Sequence, residues 1–158
     1  MSILSQPVTY TGTLRWLITA DLPAVLQIAD DCLGEQWTLE DFQECFRSLD
    51  TIGKVVEVQG AIIGFLIYQL DREAHEVLLK SIAVAPDWRR RGVAASMIQS
   101  LDRKLAQGYD RVTVLVPEGN LPLQLLLRSL GFRAVRVLRR WYDDEDAYQM
   151  QKGAGEEE

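Results

Sequence analysis

The chain has 158 residues, 47% of them hydrophobic, and a formal net charge of −6. This length suits one domain with a real core, and no apolar stretch approaches the ~20 residues that a membrane span needs. Overall acidity, without aromatics set in a basic stripe, argues against a nucleic-acid partner.

The opening MSILSQPVTYTGTL has no basic n-region and no sustained apolar run, so it does not read as a secretory signal. Leu14–Ile18 alternates weakly and predicts a short strand. TADLPAVLQIADDCL follows with Thr19 and Asp21 as capping candidates, Pro23 in a first-turn position and apolar residues at helical spacing. In WTLEDFQECFRSL, Thr38 is an N-cap candidate with Asp41 three residues on, close to a capping box. Cys32 and Cys45 fall in these two helices, and His75 is the only histidine, so neither a zinc site nor a disulfide framework is expected. Reduced thiols in a cytoplasm fit better.

GKVVEVQGAIIGFLIYQLD is two strand-forming runs broken at Gly60, a hairpin signal. HEVLLKSIAVA is a largely apolar strand of the kind covered on both faces. From Val93 the apolar spacing becomes helical, through Met97, Ile98, Leu101 and Leu105, and Gly108 stops it. RVTVLV is another buried strand, and LPLQLLLRSL a helix closed by Gly131 at a C′ position. FRAVRVL and DAYQMQ predict the last strands, and GAGEEE a frayed tail. The order describes a mixed seven-stranded sheet with about four helices, one domain over 1–158 with an ordered core at about 14–151.

Charge is unevenly spread. Residues 1–76 hold 4 Lys+Arg and 12 Asp+Glu, residues 77–142 hold 12 and 4, and residues 143–158 hold 1 and 7. A basic half favours an anionic ligand and an acidic half a cationic one. The densest basic stretch is IAVAPDWRRRGVAA, where a strand ends in a glycine-containing loop and feeds a helix. Free N–H groups at the positive end of that helix make an anion site. Gly92 admits a ligand without a Cβ in the way, Ala94 is nearly as open, and Arg89, Arg90 and Arg91 supply forked donors for phosphate oxygens. The spacing is neither a P-loop nor GxGxxG, and it implies a diphosphate.

This stretch resembles the central Gln/Arg-x-x-Gly-x-Gly/Ala motif of the GNAT acyltransferase superfamily, down to the preceding IAV, Pro86 and Trp88. The resemblance runs from RWLITADLPAVLQI to RRWYDDEDAYQM. QWTLEDF, NLPLQLLLRSLGF and the closing WY…DAYQM are most similar to the ribosomal-protein alanine N-acetyltransferases. It implies a single-domain GNAT fold, with acetyl-CoA as co-substrate and no metal. Backbone groups of Ile82, Ala83 and Val84 would hold the pantetheine arm, and the turn Arg89, Arg90, Arg91, Gly92, Val93, Ala94, Ala95 would wrap the diphosphate. Asn120 would touch the cofactor near the thioester, and Val84 and Val114 would flank a cleft between splayed fourth and fifth strands.

The same resemblance exposes a departure. The subgroup's general base, a glutamate on the fifth strand, falls on Leu115, and its general acid, a tyrosine on the next helix, falls on Leu127. Substitutes are Glu35 in the GEQW loop, Glu76 at the start of the fourth strand, Glu118 after the fifth, and Tyr142 for the missing phenol. Each has a plain structural alternative, as do His75 as an exposed turn residue and Trp37 and Trp141 as packing residues or borders of a peptide groove. Neither cysteine is expected to be a nucleophile, both being far in sequence from the cofactor turn. The expected reaction is acetyl transfer to a primary amine, a protein N-terminus before a lysine, in a monomer or homodimer. A polyamine or amino-sugar acceptor, and a non-catalytic acyl-CoA-binding module, are the alternatives.

Overall fold

The computed structural model describes residues 12–33 and 37–153. Its elements run β1 (Thr13–Trp16), α1 (Leu22–Leu33), α2 (Leu39–Arg47), β2 (Thr51–Val58), β3 (Ala61–Asp71), β4 (Glu76–Val84), α3 (Val93–Gln99), α4 (Asp102–Ala106), β5 (Arg111–Pro117), α5 (Leu121–Ser129), β6 (Arg133–Tyr142) and β7 (Glu145–Gly153). The helix expected from Val93 to Leu105 is two pieces, because a tighter turn intervenes: Leu101 N–H bonds the Ile98 carbonyl at 3.0 Å, and Lys104 N–H the Leu101 carbonyl at 2.9 Å.

Local chemistry sets several of these boundaries. Thr38 and Asp41 do form a capping box at the start of α2, each side chain bonding the other's backbone N–H. Gln59 and Gly60 both have positive φ, 50° and 85°, as a two-residue hairpin turn matching strand twist requires. Gly131, at φ 98°, ends α5 in a Schellman motif: its N–H bonds the Arg128 carbonyl and Phe132 N–H the Leu127 carbonyl, at 3.1 and 2.9 Å.

The seven strands form one sheet in the order β1-β2-β3-β4-β5-β7-β6, antiparallel except for the β4–β5 pair. α1 and α2 cover one face over Val55, Phe65, Ile67 and Ala83; α3, α4 and α5 cover the other over a larger core that includes Leu66, Met97, Ile98, Leu127 and Met150. Alternation along β4 is broken once. Val77 and Leu79 face the larger core and so do Ile82 and Val84, while Ala83 faces the smaller one. Lys80 is the extra residue: Tyr68 of β3 pairs with Leu79 and Ile67 with Ser81, leaving Lys80 unmatched in a β-bulge.

The bulge coincides with the end of pairing on the other side of the strand. β4 and β5 pair from Glu76↔Arg111 to Leu79↔Val114 and no further, although β4 runs on to Val84 and β5 to Pro117. A bulge bends its strand and increases its twist, so β4 leaves β5 there and a wedge opens toward the C-terminal ends of both. Gly64 fixes where β4 goes next. A Cβ on it would stand 3.0 Å from the Ala83 carbonyl oxygen and 3.3 Å from Met97 Cε, so β3, β4 and α3 meet there closely enough that any side chain would have to push its neighbours back.

At the other end of the sheet, Asp21 is buried beneath the start of α1. Arg15 binds it through two nitrogens at 2.9 and 3.0 Å, the Ile18 N–H adds a third bond at 2.9 Å, and Arg15 also reaches Glu57 at 2.6 Å. These bonds, led by Arg15, hold the Asp21 carboxyl below its ordinary value against the opposing effect of burial. Arg15→Ala is expected to cost about 3 kcal/mol, since it strands a buried carboxylate. The native pKa of Asp21 lies below the unfolded one, so this stabilisation is full above about pH 5 and is lost as pH falls through the lowered pKa. Urea denaturation of both proteins should show a constant gap at neutral pH that closes only in strong acid.

Candidate active site

The wedge between β4 and β5 has an extended backbone edge on each lip. Beyond Leu79 the β5-facing edge of β4 has no strand partner, so Ile82, Ala83 and Val84 present a strand edge that another extended group can pair with. Val114 is the last residue of β5 paired with β4, and Val84 stands at the far end of the opening.

β4 leads through a short 3₁₀ turn, Pro86–Trp88, into the arginine turn. Arg90 and Gly92 both have left-handed backbones, φ 64° and 81°, and α3 starts at Val93 with no side chain capping its first N–H groups. Left-handed residues alternating along a turn point successive N–H groups into one concavity, an anion-binding nest, and the α3 terminus adds its own donors. The residues present therefore fit a diphosphate. The three arginines are not equivalent. Arg91 stacks on the Trp88 ring at 4.6 Å. Arg89 folds back, its Nε 3.4 Å from the Val84 carbonyl and its Nη2 3.1 Å from Cys32 Sγ. Arg89 thus ties the turn to the end of β4.

Cys32 is the surprise of this region. Its thiol donates to the Val84 carbonyl at 3.3 Å while accepting from Arg89, so the distance in sequence from the cofactor turn does not hold in space: the end of α1 meets the mouth of the wedge. Nothing in one sequence pairs a cysteine with a carbonyl 52 residues on. Cys45 sits apart on α2, its thiol pushed up to about 11 by burial.

The remaining predicted residues divide by which end of the wedge they occupy. Tyr142, at the end of β6, donates its hydroxyl to the Leu115 carbonyl at 3.4 Å, so the phenol lies against the open part of β5. Burial, and to a lesser degree Glu145, raise its pKa and keep it protonated. Leu115 is half-buried, and Leu127 is fully buried in the core. Asn120 stands just past β5 as the N-cap of α5, its Oδ1 accepting the Leu123 N–H at 3.3 Å. Glu118 accepts the Asp146 N–H at 3.2 Å and Glu145 the Gly119 N–H at 2.8 Å, tying the β5–α5 loop to the β6–β7 hairpin.

Glu76 lies at the closed end. It pairs with Arg111 at 3.3 Å and with the Thr113 hydroxyl, where β4 and β5 are still joined. It stands three residues along β4 from Leu79, where pairing with β5 ends, with its carboxylate engaged by Arg111 and Thr113. His75 is an exposed turn residue at that same end, its carbonyl accepting the Asp110 N–H at 2.7 Å. Trp37 packs at a tilt against Phe42 with centroids 5.4 Å apart, whereas Trp141 is exposed. Glu35 lies outside the described residues. Among those residues no group of three His, Cys, Asp or Glu is arranged to hold a metal, and no helix is long and apolar enough to cross a membrane.

Comparison with known proteins agrees with this geometry. Residues 22–132 match the model of the acetyltransferase (GNAT) family. The chain is 28% identical over 146 residues to an N-alpha-acetyltransferase of Sulfurisphaera tokodaii, covering 82% of this chain and 86% of that protein. The ribosomal-protein-S18-alanine N-acetyltransferase of Escherichia coli superposes with a TM-score of 0.82 at 25% identity, over 94% of this chain and 97% of that one. A chimeric spermidine N-acetyltransferase from Vibrio cholerae superposes at 0.80 over 90% and 95%, and at 19% identity this is a likeness of fold alone. The chain belongs to the GNAT acetyltransferase family and is an acetyl-CoA-dependent N-acetyltransferase.

If the nest at Arg90–Gly92 holds the diphosphate, Gly92→Ala should strain a left-handed residue and put a methyl in the cradle. The expected result is acetyl-CoA affinity about tenfold weaker by calorimetry, with kcat at saturating acetyl-CoA within a few-fold of wild type.

Proposed function

We propose that this acetyltransferase acetylates the α-amine of protein N-termini, by direct attack on the thioester in a ternary complex with no covalent enzyme intermediate. The observation that carries the reading is the polar make-up of the open wedge. The family resemblance puts leucines at the base and acid positions, Leu115 and the core residue Leu127; Tyr142 offers a protonated phenol at the Leu115 carbonyl, and the nearby carboxylates Glu118 and Glu145 are engaged with backbone N–H groups.

Such a site suits an acceptor that arrives nearly neutral. An α-amine with pKa of about 8 costs under ~1 kcal/mol to deprotonate near pH 7.4, and a lysine of about 10.4 costs ~4. Holding amine and thioester together supplies several kcal/mol more. The amine nitrogen bonds the carbonyl carbon, the C–S bond breaks, the sulfur leaves with its electron pair and is met by the Tyr142 hydroxyl, and the extra proton on nitrogen passes to water. The likeness to the Sulfurisphaera tokodaii N-alpha-acetyltransferase supports this acceptor class. Glu35, outside the described residues, is assigned a contact to the acceptor on the family resemblance alone. The reading places the enzyme in a reducing cytoplasm, working without a metal.

The test is CoA release with mass detection of product, over peptides with free N-terminal alanine, serine or methionine, N-blocked lysine peptides, and spermidine. Turnover is expected on free N-termini alone; turnover on spermidine alone would overturn the reading. Tyr142→Phe should lower kcat about 10- to 100-fold and leave the acetyl-CoA dissociation constant unchanged, and Glu35→Gln should act on the acceptor KM. The pH profile follows too. kcat/KM for the peptide should rise through the amine pKa of about 8 without falling before about pH 10, because Tyr142, raised above its ordinary value, keeps its proton that far.

A further inference from the structure

Three polar side chains are buried among the described residues: Asp21, Ser81 and Thr113. Asp21 is bound by Arg15, and Thr113 by Glu76 and Gln151. Ser81 is 7% exposed, and its hydroxyl has no hydrogen-bond partner among the described residues. Yet no fully buried side-chain nitrogen or oxygen lacks a partner, so the Ser81 oxygen touches solvent. Ile67 of β3 closes one side of Ser81, and α1 packs over β3 and β4. The side left is toward β5, where pairing has already ended at Leu79↔Val114. Ser81 follows the bulged Lys80 and shares a face with Ala83, opposite Ile82 and Val84. The bulge therefore places Ser81 on the α1 face of β4, two residues past Leu79, where the unpaired edge of the strand begins.

We infer that Ser81 is a further catalytic residue of the acetyl transfer: its hydroxyl oxygen accepts an N–H of the acceptor amine and aims the nitrogen lone pair at the thioester carbon. The inference rests on the proposed reaction at this wedge and adds the group that positions the acceptor. A neutral primary amine has two N–H donors and one lone pair, and it attacks only if the N–H groups point away from the carbonyl carbon. Leu115 offers no side-chain acceptor, and its carbonyl is occupied by Tyr142. Ser81 supplies an uncharged acceptor, which does not favour the ammonium form as a carboxylate would. Its own proton stays in place throughout: the N–C bond forms, the C–S bond breaks, and the proton released from nitrogen goes to water.

The experiment compares wild type with Ser81→Ala and Ser81→Cys, the second keeping the volume while replacing oxygen with a weak acceptor in case the first fails to fold. Both should lower kcat/KM for the acceptor by about tenfold or more, as an unmade hydrogen bond to a reacting group does. The acetyl-CoA dissociation constant should stay within about twofold of wild type by calorimetry, and Ser81→Thr should recover part of the lost turnover. A smaller loss, or acetyl-CoA affinity that falls in step with turnover, would overturn the inference. The comparison is made on whichever acceptors the wild type acetylates. If peptides are inert and spermidine turns over, the N-terminal reading fails, while Ser81 is judged by the same ratio on spermidine.

Discussion

One unmatched residue, Lys80, decides the geometry of this enzyme. A parallel pair of strands in the middle of a sheet is ordinarily a closed surface, every backbone group spoken for. Here the bulge bends β4 out of register just where its pairing with β5 ends, at Leu79 and Val114. The backbone beyond becomes a binding edge, and the alternation of side chains reverses. Ile82 and Val84 fall onto the large core, and Ser81 and Ala83 onto the α1 side. Gly64 then lets β4 approach β3 and α3 closely enough to seat the arginine turn at its end.

Around that wedge, charge is used in two distinct ways. At the arginine turn, the left-handed residues Arg90 and Gly92 and the uncapped start of α3 gather backbone N–H groups suited to an anion. Such groups are fixed in place and lose no side-chain entropy when an anion binds. Arg89 is spent instead on structure, linking the Val84 carbonyl to Cys32 and so joining the cofactor side of the mouth to the end of α1. Glu76, Arg111 and Thr113 brace the closed end of the strand pair, as Arg15 and Asp21 brace the start of α1.

The chemistry left to the open end is spare. On the proposed reading, the leucines at the expected base and acid positions leave no group to take a proton from a strongly basic amine, and a half-buried, protonated Tyr142 would meet the departing sulfur. A site of this kind works by position more than by proton transfer. On the proposed reading it selects acceptors by how cheaply they present a free lone pair, which separates an α-amine from a lysine by about 2.4 pH units of basicity.

Much of this was legible in the residues. Helical and alternating spacing marked four helices and seven strands, Thr38–Asp41 and Gly131 marked their ends, and IAVAPDWRRRGVAA marked the anion turn, because each depends on interactions within a few residues of chain. The bulge left a trace as well: in EVLLKSIAV the residues facing the large core are Val77, Leu79, Ile82 and Val84, with a lysine where the spacing slips from two to three. What one sequence could not hold was the pairing of distant residues. Glu76 had the chemistry of a base, but only the register of β4 on β5 puts it beside Arg111 at the closed end. Cys32 and Ser81 had no chemistry to distinguish them until α1 and the bulged strand brought one to the Val84 carbonyl and set the other on the α1 face where the unpaired edge of β4 begins. Short-range propensity determines which elements form; which side chains meet is decided by strand register and helix packing, and those depend on the whole chain at once.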